Sequence, residues 1–183
     1  MDCVILVDNS NVFIEGQKYS AKTKGMVRAP ADMHDPQDPS WRIDFGSLIR
    51  KVSEGIPILK AILVGSTPPQ SDSIWQAARD GGFEVITHER SPSGKEKAVD
   101  TEIVAKGTEI ICTTAEPAIL KLLSGDRDFI PLIRIASGRA WETEMWAFSS
   151  AFSAYGEMAQ SVTRIKPLDT VFSDIGGNAF VWP

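Results

Sequence analysis

Histidine and cysteine are scarce in this sequence, and both shortages exclude kinds of site. The two cysteines, Cys3 and Cys112, each lie in an apolar stretch, so we interpret them as small buried side chains and not as a disulfide framework. The two histidines, His34 and His88, are far apart in the chain and match no zinc-binding spacing. They also give no Ser-His or Cys-His pair for nucleophilic catalysis. A metal site in this chain would therefore use oxygen ligands.

Several common motifs are also missing. No G-x-G-x-x-G follows the first apolar run, and neither G-x-x-x-x-G-K-[ST] nor G-x-S-x-G occurs, which excludes the usual dinucleotide, P-loop and hydrolase sites. No apolar run approaches the length of a transmembrane helix. The chain starts directly with an apolar run and has no basic leader. We therefore expect a cytoplasmic protein with no membrane partner.

Apolar, β-favouring runs alternate along the chain with segments of helical periodicity. This order predicts an α/β fold with a doubly wound, mostly parallel sheet of about five strands. With 183 residues, 43% of them hydrophobic, we predict one domain over residues 1–183. A long polar loop (18–40) and a C-terminal extension from about residue 150 interrupt the pattern. The predicted strands are 3–7, 58–65, 83–86, 118–123 and 142–148.

The chain is organised around the residues that follow the fourth predicted strand. This apolar strand stops at Ser124 and Gly125, Asp126 and Asp128 come next, and an apolar helix begins immediately afterwards. Strand, turn, acids and helix in this order place both carboxylates at the carboxyl edge of a sheet, where open α/β folds bind ligands. A structural role stays open, with Asp128 as the N-cap of the helix and Asp126 as an ordinary turn residue.

Three further polar residues lie at comparable positions. Asp8 ends the first strand, where burying an acid is costly unless it is paired, hydrogen-bonded or bound to a cation. Asn11 stands near the start of the next helix, and a capping role would explain it equally well. Asp100 lies in the first turn of a long helix, where an acid also complements the helix dipole.

These acids can meet if the first and fourth strands are neighbours at a point where the strand order reverses. Carboxylates brought that close repel each other unless a cation or protons neutralise them. Oxygen ligands favour Mg²⁺ or Mn²⁺, and such a centre performs phosphoryl chemistry. The sequence thus predicts a metal site formed by Asp8, Asp100, Asp126 and Asp128.

Three motifs resemble those of NYN domains, a branch of the PIN-like nucleases, and in particular the bacterial LabA-like group. Val7-Asp8-Asn9-Ser10-Asn11 resembles the family's D-x-x-N opening, and Lys97-Ala98-Val99-Asp100 resembles its K-x-V-D helix start. The run from Ser124 to Leu132, S-G-D-R-D-F-I-P-L, resembles its S-G-D-x-D-F-x-P-L signature. The motifs occur in family order, and the resemblance spans residues 4 to 148. The loop 18–40 and the tail beyond Ser149 depart from the family.

This resemblance implies a PIN-like α/β/α sandwich and a divalent-metal-dependent endoribonuclease that hydrolyses single-stranded RNA. Asp8, Asp100, Asp126 and Asp128 would be the catalytic and metal-binding carboxylates. Asn11 would be a polar catalytic residue, Ser124 a nearby hydroxyl and Lys97 a phosphate contact. Two alternatives stay open: a non-catalytic module that binds nucleic acid or protein, and a phosphatase or nucleotidase for small phosphates. A homodimer is left open as well.

Basic residues in the polar loop add a prediction about substrate binding. The net charge of −5 argues against broad coating of nucleic acid, but it leaves room for a narrow basic groove around an acidic centre. The first half of the loop carries Lys18, Lys22, Lys24 and Arg28. We predict that this loop borders the active site and contacts the substrate backbone, although a solvated surface would also explain the charges.

Overall fold

The computed structural model describes residues 1–67, 72–89 and 97–178 of the chain. Short 3₁₀ turns at Arg127–Phe129, Ser149–Ala151 and Leu168–Val171 connect some of its regular elements. The strands of the described part are β1 (Cys3–Asp8), β2 (Arg42–Ile43), β3 (Ile58–Thr67), β4 (Glu84–Glu89), β5 (Ile119–Leu123), β6 (Glu142–Ala147), β7 (Arg164–Pro167) and β8 (Gly176–Gly177). The helices are α1 (Asn9–Thr23), α2 (Phe45–Ser53), α3 (Ser73–Asp80), α4 (Lys97–Thr113), α5 (Ile130–Gly138), α6 (Glu157–Ser161) and α7 (Phe172–Ile175).

The main sheet has six strands in the order β4-β3-β1-β5-β6-β7, and every neighbouring pair is parallel. The chain builds outwards from β1 to β3 and β4, then crosses to the other side of β1 to add β5, β6 and β7. The strand order therefore reverses between β1 and β5. This confirms the predicted α/β sheet, with one strand more than expected because β7 adds to β6 and makes it an inner strand. Strands β2 and β8 form a separate antiparallel pair.

Helices cover both faces of the sheet, which gives three layers. Successive residues of β1 alternate between two apolar clusters, with Ile5 on one face and Leu6 on the other, both at most 1% exposed. Helices α1, α2, α3 and α7 pack on the first face, and α4, α5 and α6 pack on the second. Burying one such aliphatic side chain stabilises the fold by about 1.5–3 kcal/mol. Strands buried on both faces therefore read as continuous apolar runs.

Helix α1 is longer than the sequence analysis predicted, because it runs on to Thr23 where a loop was expected from Lys18. Most of the residues that extend it are polar by type, yet Ser20 is buried, as is Gln17 immediately before them. Trp41 is fully buried against Gly16 and fixes the far end of the connection that follows α1. Because of the polar composition of this segment, the sequence analysis missed about one and a half turns of helix.

Asp38 anchors the connection after α1 through a buried carboxylate. Its oxygens accept hydrogen bonds from the hydroxyls of Ser20 and Ser40, both at 2.6 Å, and its Oδ2 lies 2.7 Å from the Lys24 ammonium. Burial acts to raise the pKa of this carboxyl, but the hydrogen bonds from Lys24, Ser20 and Ser40 outweigh it and hold the pKa well below its usual range. The positive charge of Lys24 thus neutralises a buried carboxylate of the fold.

Lys121 is a fully buried charge in the middle of β5. Its ammonium lies 3.0 Å from Glu144, which is also buried, and 2.8 Å from Glu54 at the end of α2. Burial acts to raise the pKa of Glu144, but hydrogen bonds from Lys121 and Trp146 hold the pKa below its ordinary value. The same balance, with Lys121 and Lys166 as donors, lowers the pKa of Glu54. The network ties β5, β6 and α2 together.

None of the described helices is both long and apolar enough to span a membrane.

We expect the free energy of unfolding to fall as the pH drops below about 4.5, the ordinary pKa of a glutamate side chain. In the unfolded chain the carboxylates of Glu54 and Glu144 bind protons at that pH, whereas the folded protein keeps them ionised. Protons therefore favour unfolding. The network stabilises the fold above this pH, and the contribution is lost as the pH falls through the folded-state pKa values. Urea titrations from about pH 7 to about pH 3 would measure this loss.

Glu144→Gln provides the matched comparison, because it removes one of the carboxylates with a lowered pKa. Its pH dependence should be shallower than that of the wild type. At neutral pH it should be less stable by about 3 kcal/mol, since Lys121 loses a buried partner. Glu116→Gln, at an exposed position, should behave as the wild type. Equal pH dependence in the wild type and Glu144→Gln would contradict this account.

Candidate metal centre

The turn after β5 is held in place by a backbone contact. Ser124 and Gly125 are both buried there. A Cβ atom on Gly125 would lie 2.7 Å from the carbonyl oxygen of Ala151, which belongs to the 3₁₀ turn after β6. The obstacle is backbone, which cannot rotate away as a flexible side chain would. Position 125 therefore requires glycine, and the turn is fixed immediately before the first acid.

The structural alternative, with Asp128 as an N-cap and Asp126 as an ordinary turn residue, does not describe what these two side chains do. Asp126 is the capping residue, since its Oδ1 accepts a hydrogen bond of 2.9 Å from the backbone N–H of Asp128. Helix α5 has Phe129 at its N-cap position and no side-chain cap, so Asp128 does not serve there. The Asp128 carboxylate is exposed to solvent. Capping thus leaves most of the oxygen atoms of this pair available to a ligand.

Asp100 completes a cluster of three carboxylates. It lies half-buried in the first turn of α4, and it offers one oxygen that is within 4.8 Å of one oxygen of Asp126 and one of Asp128. Oxygens on opposite sides of a Mg²⁺ ion, each about 2.1 Å from it, are about 4.2 Å apart. Small side-chain rotations would therefore bring the three oxygens around one ion. Oxygen donors of this kind suit Mg²⁺ or Mn²⁺.

Asp8 is placed beside this cluster and not within it. Among the described residues, the group of mutually close carboxylates consists of the other three acids. Asp8 is 5% exposed, caps α1, and accepts hydrogen bonds from Ser10 Oγ (3.0 Å) and the Asn11 N–H (3.3 Å) on its Oδ1. Its Oδ2 accepts a hydrogen bond from Ser124 Oγ at 3.2 Å. Ser124 Oγ in turn accepts one from the Asp126 N–H at 3.2 Å. Asp8 thus holds the turn that carries Asp126.

A family model of the NYN domain matches residues 4–166. The chain belongs to the NYN family. NYN domains are part of the PIN-like superfamily, which has a nuclease-like fold. The crystal structure of a protein of unknown function from Vibrio parahaemolyticus RIMD 2210633 has a similar fold, with a TM-score of 0.69 at 18% sequence identity. That match covers 96% of each chain. No protein with a curated description matches this sequence.

The remaining predicted site residues of this NYN domain lie at the starts of α1 and α4 and in the turn after β5. Asn11 is half-buried in the first turn of α1, next to Asp8. Ser124 links Asp8 to the Asp126 backbone, as described above. Lys97 is the first residue of α4, three positions before Asp100, and its side chain lies outside the described part of the structure.

Of the four basic residues predicted to contact substrate, two form ion pairs within the protein and two do not, in the described part of the chain. Lys18 lies on α1 and pairs with Glu15 at 2.7 Å. Lys24 pairs with the buried Asp38. Lys22 and Arg28 are exposed, and neither forms an ion pair within the described part of the chain. Lys22 is therefore a more accessible cation for a substrate phosphate than Lys24.

The 3₁₀ turn Ser149–Ala151 is a part of the site that the sequence analysis missed. Its last residue packs on Gly125, and its middle residue, Ser150, donates a hydrogen bond of 2.7 Å to Glu15 on α1. Such contacts between distant segments leave no local pattern in the sequence. Ser10 was also missed, although its position two residues after Asp8 is the ordinary spacing for a local hydroxyl–carboxylate hydrogen bond. The turn that carries Asp126 is thus packed against the segment that follows β6.

Mn²⁺ should raise the melting temperature of the wild-type protein and leave that of Asp126→Asn nearly unchanged. At a concentration a hundredfold above Kd, the expected rise for a chain of this size is about 5–10 °C. Without metal, Asp126→Asn should melt at the same or a higher temperature, because it relieves repulsion among the carboxylates. The asparagine carbonyl can still accept the hydrogen bond from the Asp128 N–H. Thermal melts with EDTA or Mn²⁺ measure both effects, and an equal rise in both proteins would refute the assignment.

Proposed function

We propose that the protein is a divalent-metal-dependent nuclease and that it acts as an endoribonuclease on phosphodiester bonds of single-stranded RNA. The observation that carries the proposal is the cluster of Asp100, Asp126 and Asp128 at the carboxyl edge of the sheet, next to the point where the strand order reverses. Ligands of open α/β sheets bind at this position. Membership of the NYN family supports phosphodiester hydrolysis as the reaction.

Each acid has a part in this proposal that follows from its surroundings. Asp100, Asp126 and Asp128 would hold the ion, which when bound lowers the pKa of a water molecule and stabilises charge on the attacking and leaving oxygens. Asp8 is a positioning residue, because it acts on Asp126 through the Ser124 hydroxyl. Mg²⁺ or Mn²⁺ is the expected cofactor, in line with the oxygen donors.

A polymeric substrate is supported by the surface beside the acids. Helix α1 leads away from Asp8, and Lys18 and Lys22 follow along it at intervals of roughly one turn. A strand lying along this helix could contact these ammonium groups with phosphates on one side of the cleavage site. A small phosphate ester would occupy only the acid cluster and would gain nothing from these residues.

The test is cleavage of labelled single-stranded RNA, with single-stranded DNA and a chromogenic phosphate ester as competing substrates, in Mn²⁺ or EDTA. We expect internal cleavage of the RNA in Mn²⁺ and none in EDTA. Asp126→Asn should lower the rate by a factor of about a hundred or more, since the charge that holds the ion is reduced.

Glu116→Gln serves as the control, because this exposed residue lies in the connection between α4 and β5, at the opposite edge of the sheet. It should cleave as the wild type does. Normal cleavage by Asp126→Asn would refute the role of that residue. Turnover of the chromogenic ester without cleavage of RNA would identify a phosphatase, and RNA binding without any turnover would identify a binding module.

A further inference from the structure

A cavity of about 720 Å³ opens beside the second half of α1. It lies between Lys18 and Lys22 on the helix, the connection that follows the helix, and Ser149 and Ser150 of the 3₁₀ turn after β6. Its volume falls within the range of roughly 300–1,000 Å³ that is usual for small-ligand sites. The cavity is large enough for one nucleotide.

One side of the cavity is apolar and firmly supported. Tyr19 lines it, and the tyrosine ring packs against Phe148 (centroids 5.6 Å apart) and Phe172 (4.7 Å). Met26 and Val27 line it as well, with 42% and 88% of their surfaces exposed. A half-buried tyrosine ring and exposed apolar side chains next to lysines give a flat ligand a surface to stack on.

The polar side of the cavity offers a carboxylate to a ligand. Asp35 is exposed, lines the cavity, and forms no hydrogen bond or ion pair through its side chain within the described part of the structure. Asp169, the other acid of the lining, already accepts hydrogen bonds from the backbone N–H and hydroxyl of Ser149. Asp35 is therefore the acceptor that a bound molecule would meet.

The first cavity continues along α1 towards the end of the helix that carries Asn11. A second cavity of about 410 Å³ shares Lys18 and Asp35 with the first and extends to Ile14, one turn beyond Asn11. From Asn11 to Lys18 the helix rises by about 10 Å, at about 1.5 Å per residue. About three stacked nucleotides, at roughly 3.4 Å each, cover this distance. A strand of this length that runs along α1 from Asn11 would reach the first cavity.

We propose that this cavity receives one base of the RNA strand and that Asp35 makes it select bases with an exocyclic amino group over uracil. The proposal rests on the function proposed above. An ionised carboxylate can only accept hydrogen bonds. Adenine, cytosine and guanine each present an amino donor to it. Uracil instead presents carbonyl oxygens on both sides of its single N–H, and these repel the carboxylate.

The test measures binding of labelled oligo(A), oligo(C) and oligo(U) RNA by fluorescence anisotropy, with the wild-type protein in EDTA so that cleavage does not interfere. We expect oligo(A) and oligo(C) to bind about tenfold more tightly than oligo(U). Asp35→Asn should bring this ratio close to one, because the asparagine side chain both donates and accepts.

Asp32→Asn is the matched control, since Asp32 is an exposed aspartate of the same connection that does not line the cavity. It should keep the tenfold ratio. A ratio that Asp35→Asn leaves unchanged would overturn the role of the cavity while leaving the nuclease proposal intact. Failure of all three RNAs to bind, together with absence of RNA cleavage by the wild type, would overturn both proposals.

Discussion

The position of β1 between β3 and β5 is the constraint on which the rest of the structure depends. Because the chain crosses over β1 to reach β5, the ends of these two strands meet at the carboxyl edge, and Asp8 comes within hydrogen-bonding distance of Ser124. That single hydroxyl joins a capping carboxylate of one element to the backbone of the next. The turn after β5 then presents Asp126 and Asp128 to solvent in a fixed position.

Much of the fold was predictable from the sequence, because strands buried on both faces of a parallel sheet leave long apolar runs. Asp100 and Asp126 could be expected to approach each other, since one starts the helix that leads into β5 and the other follows that strand. The hydrogen bond between Ser124 and Asp8 was not predictable, because the two residues are far apart in the chain. An acid at a strand end has the same sequence pattern whether it binds an ion or accepts a hydrogen bond.

Polar side chains are buried in two places where residues distant in the chain cover or neutralise them. In the first of these, the second half of α1, polar composition misled the sequence analysis, whereas the strand that contains the second was predicted. Gln17 and Ser20 lie inside an extended α1 because Asp38 and Trp41 return to cover that part of the helix. Lys121 lies inside β5 because Glu144 on the neighbouring strand and Glu54 neutralise it. Each case requires partners that are distant in the chain, so no local window of the sequence contains the explanation.

The close approach of Gly125 to Ala151 has a consequence for how such a protein can change. The segment after β6 lies outside the three motifs that define the acids, yet its backbone touches the turn that carries one of them. Substitutions in that segment can shift the acids by fractions of an ångström without altering any of them. The residues that supply the acids and the residues that set their exact position thus lie in separate stretches of the chain.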